Sequence, residues 1–143
     1  MTNIEQEEFE NSVDYPVIRV DMDYCADPLW GSADKKSGFC NLSLEDFEKV
    51  LSKELMHSLS YYQHSWEMLH SSKYLSVFED HESSFLKGLH VNLLKAQIEI
   101  TKQLKREMPD KVICFAVMNE LSGYQHNEIL LVDGKAIITE MET

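Results

Sequence analysis

The chain has 143 residues, of which 43% are hydrophobic, enough apolar material for one domain with a core of its own. Its net charge is −12. Because such a surface repels phosphate backbones and anionic lipid headgroups, the charge excludes nucleic acid and membranes as expected partners. The charge indicates either that the partner is a basic macromolecule or that the acidic residues serve only to keep the protein soluble.

The three cysteines, Cys25, Cys40 and Cys114, show no CxxC spacing. Cys114 lies in an apolar run and is predicted to be a buried thiol. Cys25 and Cys40 are interpreted as free thiols, with a disulfide between them as the alternative. The sequence shows no secretory signal and no apolar stretch of about 18 residues, so we expect a soluble cytoplasmic protein.

Acidic residues crowd the first fourteen positions, which hold no Lys or Arg: Glu5, Glu7, Glu8, Glu10 and Asp14. This pattern predicts a loosely ordered acidic leader over residues 1–14, followed by a single domain over residues 15–143. A strand begins after Tyr15 and Pro16. Its alternation places Ile18, Val20, Met22 and Tyr24 on an inner face and Arg19, Asp21 and Asp23 on an outer face.

Residues 26–42 contain Pro28, Gly31 and Gly38 with no hydrophobic period, which predicts a loop. Ser43 and the acids after it predict a helix start, either there or after a short turn near Ser52. One apolar stripe then runs along this helix at steps of three or four: Leu44, Phe47, Leu51, Leu55, Leu59, Tyr62, Trp66 and Leu69. A second helix is predicted over residues 80–107, ended by Pro109.

The run over residues 111–118 is continuously apolar and predicts a central strand covered on both faces. Asp133 and Gly134 lie between two β-rich segments and predict a hairpin with a type I′ turn. The predicted fold class is α+β, with two long helices packed on a mainly antiparallel sheet in the order β-α-α-β-β-β.

Two Glu-x-x-His pairs, Glu54 with His57 and Glu67 with His70, are the strongest candidates for metal chemistry. Such pairs form di-iron sites when they come from facing helices. Here both lie on one helix, about 20 Å apart, so the interpretation as ordinary surface residues is preferred. The sequence contains no nucleophile motif, P-loop or dinucleotide fingerprint, and we predict no catalytic residue, metal or cofactor.

The segment VIRVDMDYCADPLW (residues 17–30), followed by a variable loop, NLSLEDFEKVLSKEL (residues 41–55) and YYQHSWE (residues 61–67), resembles a family of small bacterial immunity proteins. These belong to polymorphic toxin and contact-dependent growth inhibition systems. The resemblance covers about residues 17–70, and a glycine is usual in the family at or beside Cys25. The matching residues are Asp23, Tyr24, Pro28, Leu29, Trp30, Asn41, Leu55 and Trp66.

The resemblance implies a non-catalytic protein that forms a one-to-one complex with a cognate toxin domain in the cytoplasm. Many such toxins are nucleases, which are basic because they hold phosphates, and the acidic charge of this chain fits such a partner. The expected contact residues are Asp21, Asp23, Asp27, Trp30, Asp34, Glu79, Asp80 and Glu82. The alternatives are an adaptor or assembly subunit whose long helix packs on a partner helix, and a small metal-dependent enzyme.

Overall fold

A computed structural model describes residues 9–71, 84–119, 121 and 123–141. The strands are β1 (Val17–Val20), β2 (Leu29–Ser32), β3 (Cys40–Leu42), β4 (Val112–Asn119), β5 (Gly123–Val132) and β6 (Lys135–Glu140). Within these ranges the α-helices are α1 (Lys53–Leu69) and α2 (Ser84–Glu107), and two 3₁₀ turns, Ser12–Asp14 and Leu44–Phe47, precede β1 and α1.

The six strands form one sheet in the order β3-β2-β1-β4-β5-β6. Only the pair of β1 and β4 is parallel; the other four pairs are antiparallel. An α+β fold with two helices and a mainly antiparallel sheet is therefore confirmed. The predicted element order is incomplete, because two strands precede α1 that the sequence did not indicate, and the described elements run β-β-β-α-α-β-β-β.

The predicted loop over residues 26–42 is wrong, since it contains β2 and β3. These strands have four and three residues, too few for a period of two to stand out from the surrounding Pro and Gly residues. Gly31 belongs in β2 for a steric reason: a Cβ there would lie 2.7 Å from Cγ of Tyr15. Leu29 and Trp30, which lie in the predicted loop, are instead strand residues paired with β1.

Both helices contribute buried side chains to the same core as the sheet. The stripe of α1 is confirmed: Phe47, Leu51, Leu55, Leu59, Tyr62 and Leu69 are buried. The helix begins at Lys53, with the Ser52 hydroxyl accepting from Leu55 N at 3.1 Å, so the short turn is the correct alternative. Ile100 and Leu104 of α2 complete this core.

The predicted central strand and hairpin are both confirmed. Residues 113–116 of β4 are buried, and the strand lies between β1 and β5. Burial raises the pKa of the Cys114 thiol to about 12. Asp133 and Gly134 have φ values of 51° and 79°, as a type I′ turn requires.

The two ends of the predicted second helix have different outcomes. Its expected start at Asp80 lies outside the described residues, while its end at Glu107 is confirmed. Just beyond this end, Lys105 Nζ donates to the carbonyl oxygens of Pro109 at 2.9 Å and Lys111 at 2.7 Å. A basic side chain of the last helical turn therefore satisfies carbonyl groups in the connection between α2 and β4.

The last residues of the predicted leader pack on the domain. The rings of Phe9 and Tyr15 lie 4.7 Å apart, and Ser12 Oγ donates to Asp46 Oδ2 at 2.7 Å. The latter bond joins the two 3₁₀ turns. Residues 1–8 lie outside the described part of the chain.

Candidate functional site

The chain leaves β1 at Val20 and reverses direction through Tyr24 and Cys25 before β2. Cys25 has a φ of 57°, the left-handed conformation that glycine adopts most readily. The predicted inward position of Tyr24 is wrong. It is 64% exposed, and its ring packs edge-on against Trp66 at 5.1 Å. The strand has already ended at Val20, so its alternation no longer applies at Tyr24.

Asp27 connects this turn to three later segments. Its Oδ2 accepts from Leu44 N at 2.8 Å, and its Oδ1 accepts from Gln63 Nε2 at 3.2 Å. Its backbone exchanges hydrogen bonds with the Asn41 side chain: Asp27 N donates to Oδ1 at 3.0 Å, and Nδ2 donates to Asp27 O at 2.7 Å. We call Asp27, Asn41, Leu44 and Gln63 the motif corner. Both carboxylate oxygens of Asp27 are used within the fold.

The sheet face opposite the core carries a second cluster, the Arg19 site, made of Arg19, Asp21, Trp30, Phe39 and His126. The Arg19 guanidinium lies 4.3 Å from the ring centroid of Phe39 and 5.4 Å from that of Trp30. Its Nη1 lies 3.1 Å from His126 Nε2, and its Nε lies 3.8 Å from Asp21 Oδ2. The Trp30 indole donates to Asp21 O at 3.1 Å.

Burial dominates the electrostatics of the Arg19 site. It raises the pKa of Asp21 to about 6, although a hydrogen bond from Met22 N and the charge of Arg19 both act to lower it. An ion pair with a 3.8 Å separation is too long to offset the desolvation of a carboxylate whose side chain is only 17% exposed. Burial and the Arg19 charge both lower the pKa of His126.

The C-terminal end of α1 carries an aromatic and imidazole cluster. The Trp66 and His70 rings stack at 4.0 Å, and His90 of α2 approaches His70 at 5.5 Å. His70 Nδ1 lies 2.9 Å from Trp66 O, within its own helix. Burial, followed by the nearby His70, lowers the pKa of His90.

Neither Glu-x-x-His pair is arranged as a metal centre in the described residues. His57 is exposed, while His70 stacks on Trp66. Within the ranges that the structure describes, no group of three or more His, Cys, Asp or Glu residues is placed to hold a metal ion. Cys25, Cys40 and Cys114 are all free thiols, so the alternative of a disulfide between Cys25 and Cys40 is wrong.

The expected contact residues that lie in the described ranges have different local partners. Asp21 and Trp30 meet in the Arg19 site, Asp27 belongs to the motif corner, and the exposed Asp23 accepts from Tyr24 N at 2.7 Å. Asp34 Oδ1 accepts from the backbone of Lys36 and Ser37, and the Ser37 bond is the main reason that its pKa is lowered. Glu79, Asp80 and Glu82 lie outside the described residues.

Sequence reasoning missed Phe39 and His126 of the Arg19 site. Phe39 lies in the segment interpreted as loop, and His126 is 107 positions from Arg19. Their meeting depends on the register in which Ala116 of β4 pairs with His126 of β5. The sequence of β5 gave no signal for His126, because residues 125–128 are all polar and show no alternation.

A more exposed acidic surface lies at the two 3₁₀ turns. Glu10, Asp14, Glu45, Asp46 and Glu48 are all exposed on these turns or beside them, and we call them the acidic turns. The bond from Ser12 to Asp46 holds the turns together, and the bond from Leu44 to Asp27 attaches them to the motif corner. Residues 9–71 carry eleven Asp and Glu against five Lys and Arg, whereas the described residues from 84 onward carry six against seven.

Comparison with known proteins gives no relative: no family model, no curated protein and no solved structure matches the chain. Among the described residues, neither α1 nor α2 combines the length and apolar character needed to cross a bilayer.

Proposed function

We propose that this chain is a cytoplasmic immunity protein that binds one cognate toxin domain and blocks it without catalysis. The complex would contain one copy of each protein, and inhibition would come from covering the toxin active site or the surface beside it. The proposal starts from the resemblance over residues 17–70 and is supported by where the matching residues lie in the fold.

Several of these residues form one local structure. Asn41 bonds the backbone of Asp27, Leu29 is buried in the core, and Trp66 packs on Tyr24. The φ of Cys25 is the conformation that a glycine would adopt, at the place where the family usually has one. Parts of the pattern that are distant in sequence therefore meet in the fold, at the contacts between Asn41 and Asp27 and between Trp66 and Tyr24.

The observation that carries the proposal is the position of the acidic turns. Five exposed acids lie on a surface that hydrogen bonds attach to the motif corner, and the excess of negative charge lies in the same half of the chain. Such a surface attracts a basic protein and increases the rate of association. A nuclease domain is the preferred partner, because its active site is basic in order to hold phosphates.

The proposal predicts that the reading frame directly upstream encodes a large protein with a toxin domain at its C-terminus, and co-expression with that domain tests it. The toxin domain alone should arrest growth, and co-expression of this chain should restore it. Glu45→Lys combined with Glu48→Lys should weaken protection. The matched control is Glu67→Lys combined with Glu140→Lys, which changes the charge by the same amount at exposed positions on α1 and β6. Absence of protection by the unaltered chain would reject the function; equal protection by both double variants would reject the acidic turns as the contact.

A further inference from the structure

A groove runs between α1 and α2. Its main cavity has a volume of about 670 Å³, and a smaller one of about 170 Å³ adjoins it, with Ser58, Glu99 and Ile100 lining both. The lining extends along α1 from Ser52 to Leu69, a rise of roughly 25 Å. The groove is therefore long enough for a helix of about four turns.

Small side chains keep this groove open. Ser58 and Ser65 are seven positions apart and so share one face of α1, and Ala96 lines the groove from α2. Larger apolar residues at these positions would fill the space between the helices. Instead, two large side chains stand at the margin in contact with solvent, since Tyr61 is 78% exposed and Met68 is 54% exposed. Exposed aromatic and Met side chains beside a cavity are typical of protein contacts.

Charge defines one end of the groove. Among the described residues, Glu54 and Glu99 are the only charged ones that line the two cavities, and both line the smaller one. Glu99 forms an ion pair with Lys102 at 3.2 Å, whereas none of the ion pairs among the described residues includes Glu54. A second copy of this chain would bring the same acids and a further net charge of −12, which opposes self-association here.

We propose that this groove binds an amphipathic helix of the partner protein, with its apolar stripe between α1 and α2 and its basic end beside Glu54 and Glu99. Anchors at spacings of three, four and seven residues fit a groove between two antiparallel helices. This inference rests on the proposed function in one respect, that the partner is a basic protein domain, and it names the part of that partner that is held.

A fluorescent synthetic peptide of about 16 residues provides the probe, with Leu along one helical face and Lys at its C-terminal end. A matched peptide carries Glu in place of Lys. The Lys peptide should bind the purified full chain, and the Glu peptide should bind at least several-fold more weakly. Ser65→Trp and Ala96→Trp, which fill the groove from opposite walls, should each reduce affinity about tenfold or more. Glu54→Lys should reduce the preference for the Lys peptide.

His64→Trp is the matched control, because His64 is exposed on the same helix and does not line the groove. It should leave peptide affinity unchanged. Thermal unfolding shows whether either groove-filling variant has lost the fold. If one has, the peptide affinity of the variant on the other wall tests the inference. Unchanged binding by folded groove-filling variants, equal affinity for the two peptides, or a protein dimer that dissociates on Ser65→Trp would each overturn the inference. Peptide failure together with growth protection would reject the groove and leave the proposed function standing.

Discussion

Arg19 Nη1 donates a hydrogen bond to His126 Nε2 at 3.1 Å, which connects β1 to β5 across β4. A guanidinium can only donate, so Nε2 is the acceptor and the His126 proton lies on Nδ1. The lowered pKa of His126 agrees with this neutral imidazole. Arg19 therefore supplies the permanent charge of this site, and Asp21 is the group whose protonation changes near neutral pH.

The stability of the Asp21→Asn variant, relative to that of the wild type, should increase as pH rises. The folded-state pKa of Asp21 is about 6 against an ordinary value of 3.8, so the folded state binds the proton more tightly than the unfolded chain. The stability from this protonation is complete below about pH 4 and is lost as pH rises through about 6. The unfolding free energy of the variant minus that of the wild type should rise by about 2 kcal/mol between pH 4 and 7.5. Urea unfolding at a series of pH values measures this difference; a difference that stays constant would contradict the burial of the Asp21 charge.

Gly31→Ala should destabilise the protein by about 1–3 kcal/mol, because the new methyl group would lie 2.7 Å from Cγ of Tyr15. Gly88→Ala is the matched control. A Cβ at Gly88 meets nothing within 4 Å, and the residue lies within α2. This change should therefore raise the free energy of unfolding by about 0.5–1 kcal/mol. Urea unfolding of both variants gives the comparison. A neutral Gly31→Ala would contradict the close packing of β2 on Tyr15.

Cys25→Gly should stabilise the protein by about 0.5–1 kcal/mol. A left-handed conformation costs a residue with a Cβ about 1–2 kcal/mol, and the flexibility of glycine in the unfolded chain offsets part of that gain. Cys25→Ala retains the Cβ and should change the stability little. The melting temperatures of the two variants are the measurement, and a loss of stability on Cys25→Gly greater than that on Cys25→Ala would contradict the turn.

Asp27→Ala should lower the free energy of unfolding by about 2–3 kcal/mol, because Leu44 N loses its acceptor in a half-buried position and the Gln63 amide keeps only the longer bond to Ala26 O. Asp23→Ala removes a carboxylate that, among the described residues, accepts only from the exposed Tyr24 N, so it should lower the free energy of unfolding by less than about 1 kcal/mol. Chemical unfolding of the two variants separates them. Equal costs would show that Asp27 does not hold the motif corner together.

The sequence predicted the elements whose signals are long or chemically specific. The stripe of α1 and the apolar run of β4 each extend over many residues. The Asp133–Gly134 turn is short, but it requires positive φ values that few residue types adopt. β2 and β3 escaped prediction because their pairing depends on contacts distant in sequence, such as the packing of Gly31 under Tyr15. Short strands are stabilised by their neighbours more than by their own composition.

The site was predicted less well for a related reason. The alternation of β1 identified Arg19 and Asp21 as outer-face residues, but it gave no indication that Phe39 and His126 would cover them. Asp27 was expected to contact a partner as an exposed acid near the motif; the structure shows it half-buried, with two hydrogen bonds to its carboxylate within the fold, and its contact with a partner stays a prediction. Whether a carboxylate is exposed depends on contacts with residues distant in sequence, and these contacts cannot be predicted from the residues next to it.

The central claim is tested most directly by the rate at which the purified chain associates with the toxin domain that the proposal expects to be encoded directly upstream, measured over a series of salt concentrations. We predict a one-to-one complex whose association rate falls steeply with salt, and a smaller, less salt-dependent rate for Glu45→Lys combined with Glu48→Lys. Absence of a complex at micromolar concentrations, or the same rate at every salt concentration, would contradict an acidic protein that works by binding a basic toxin domain.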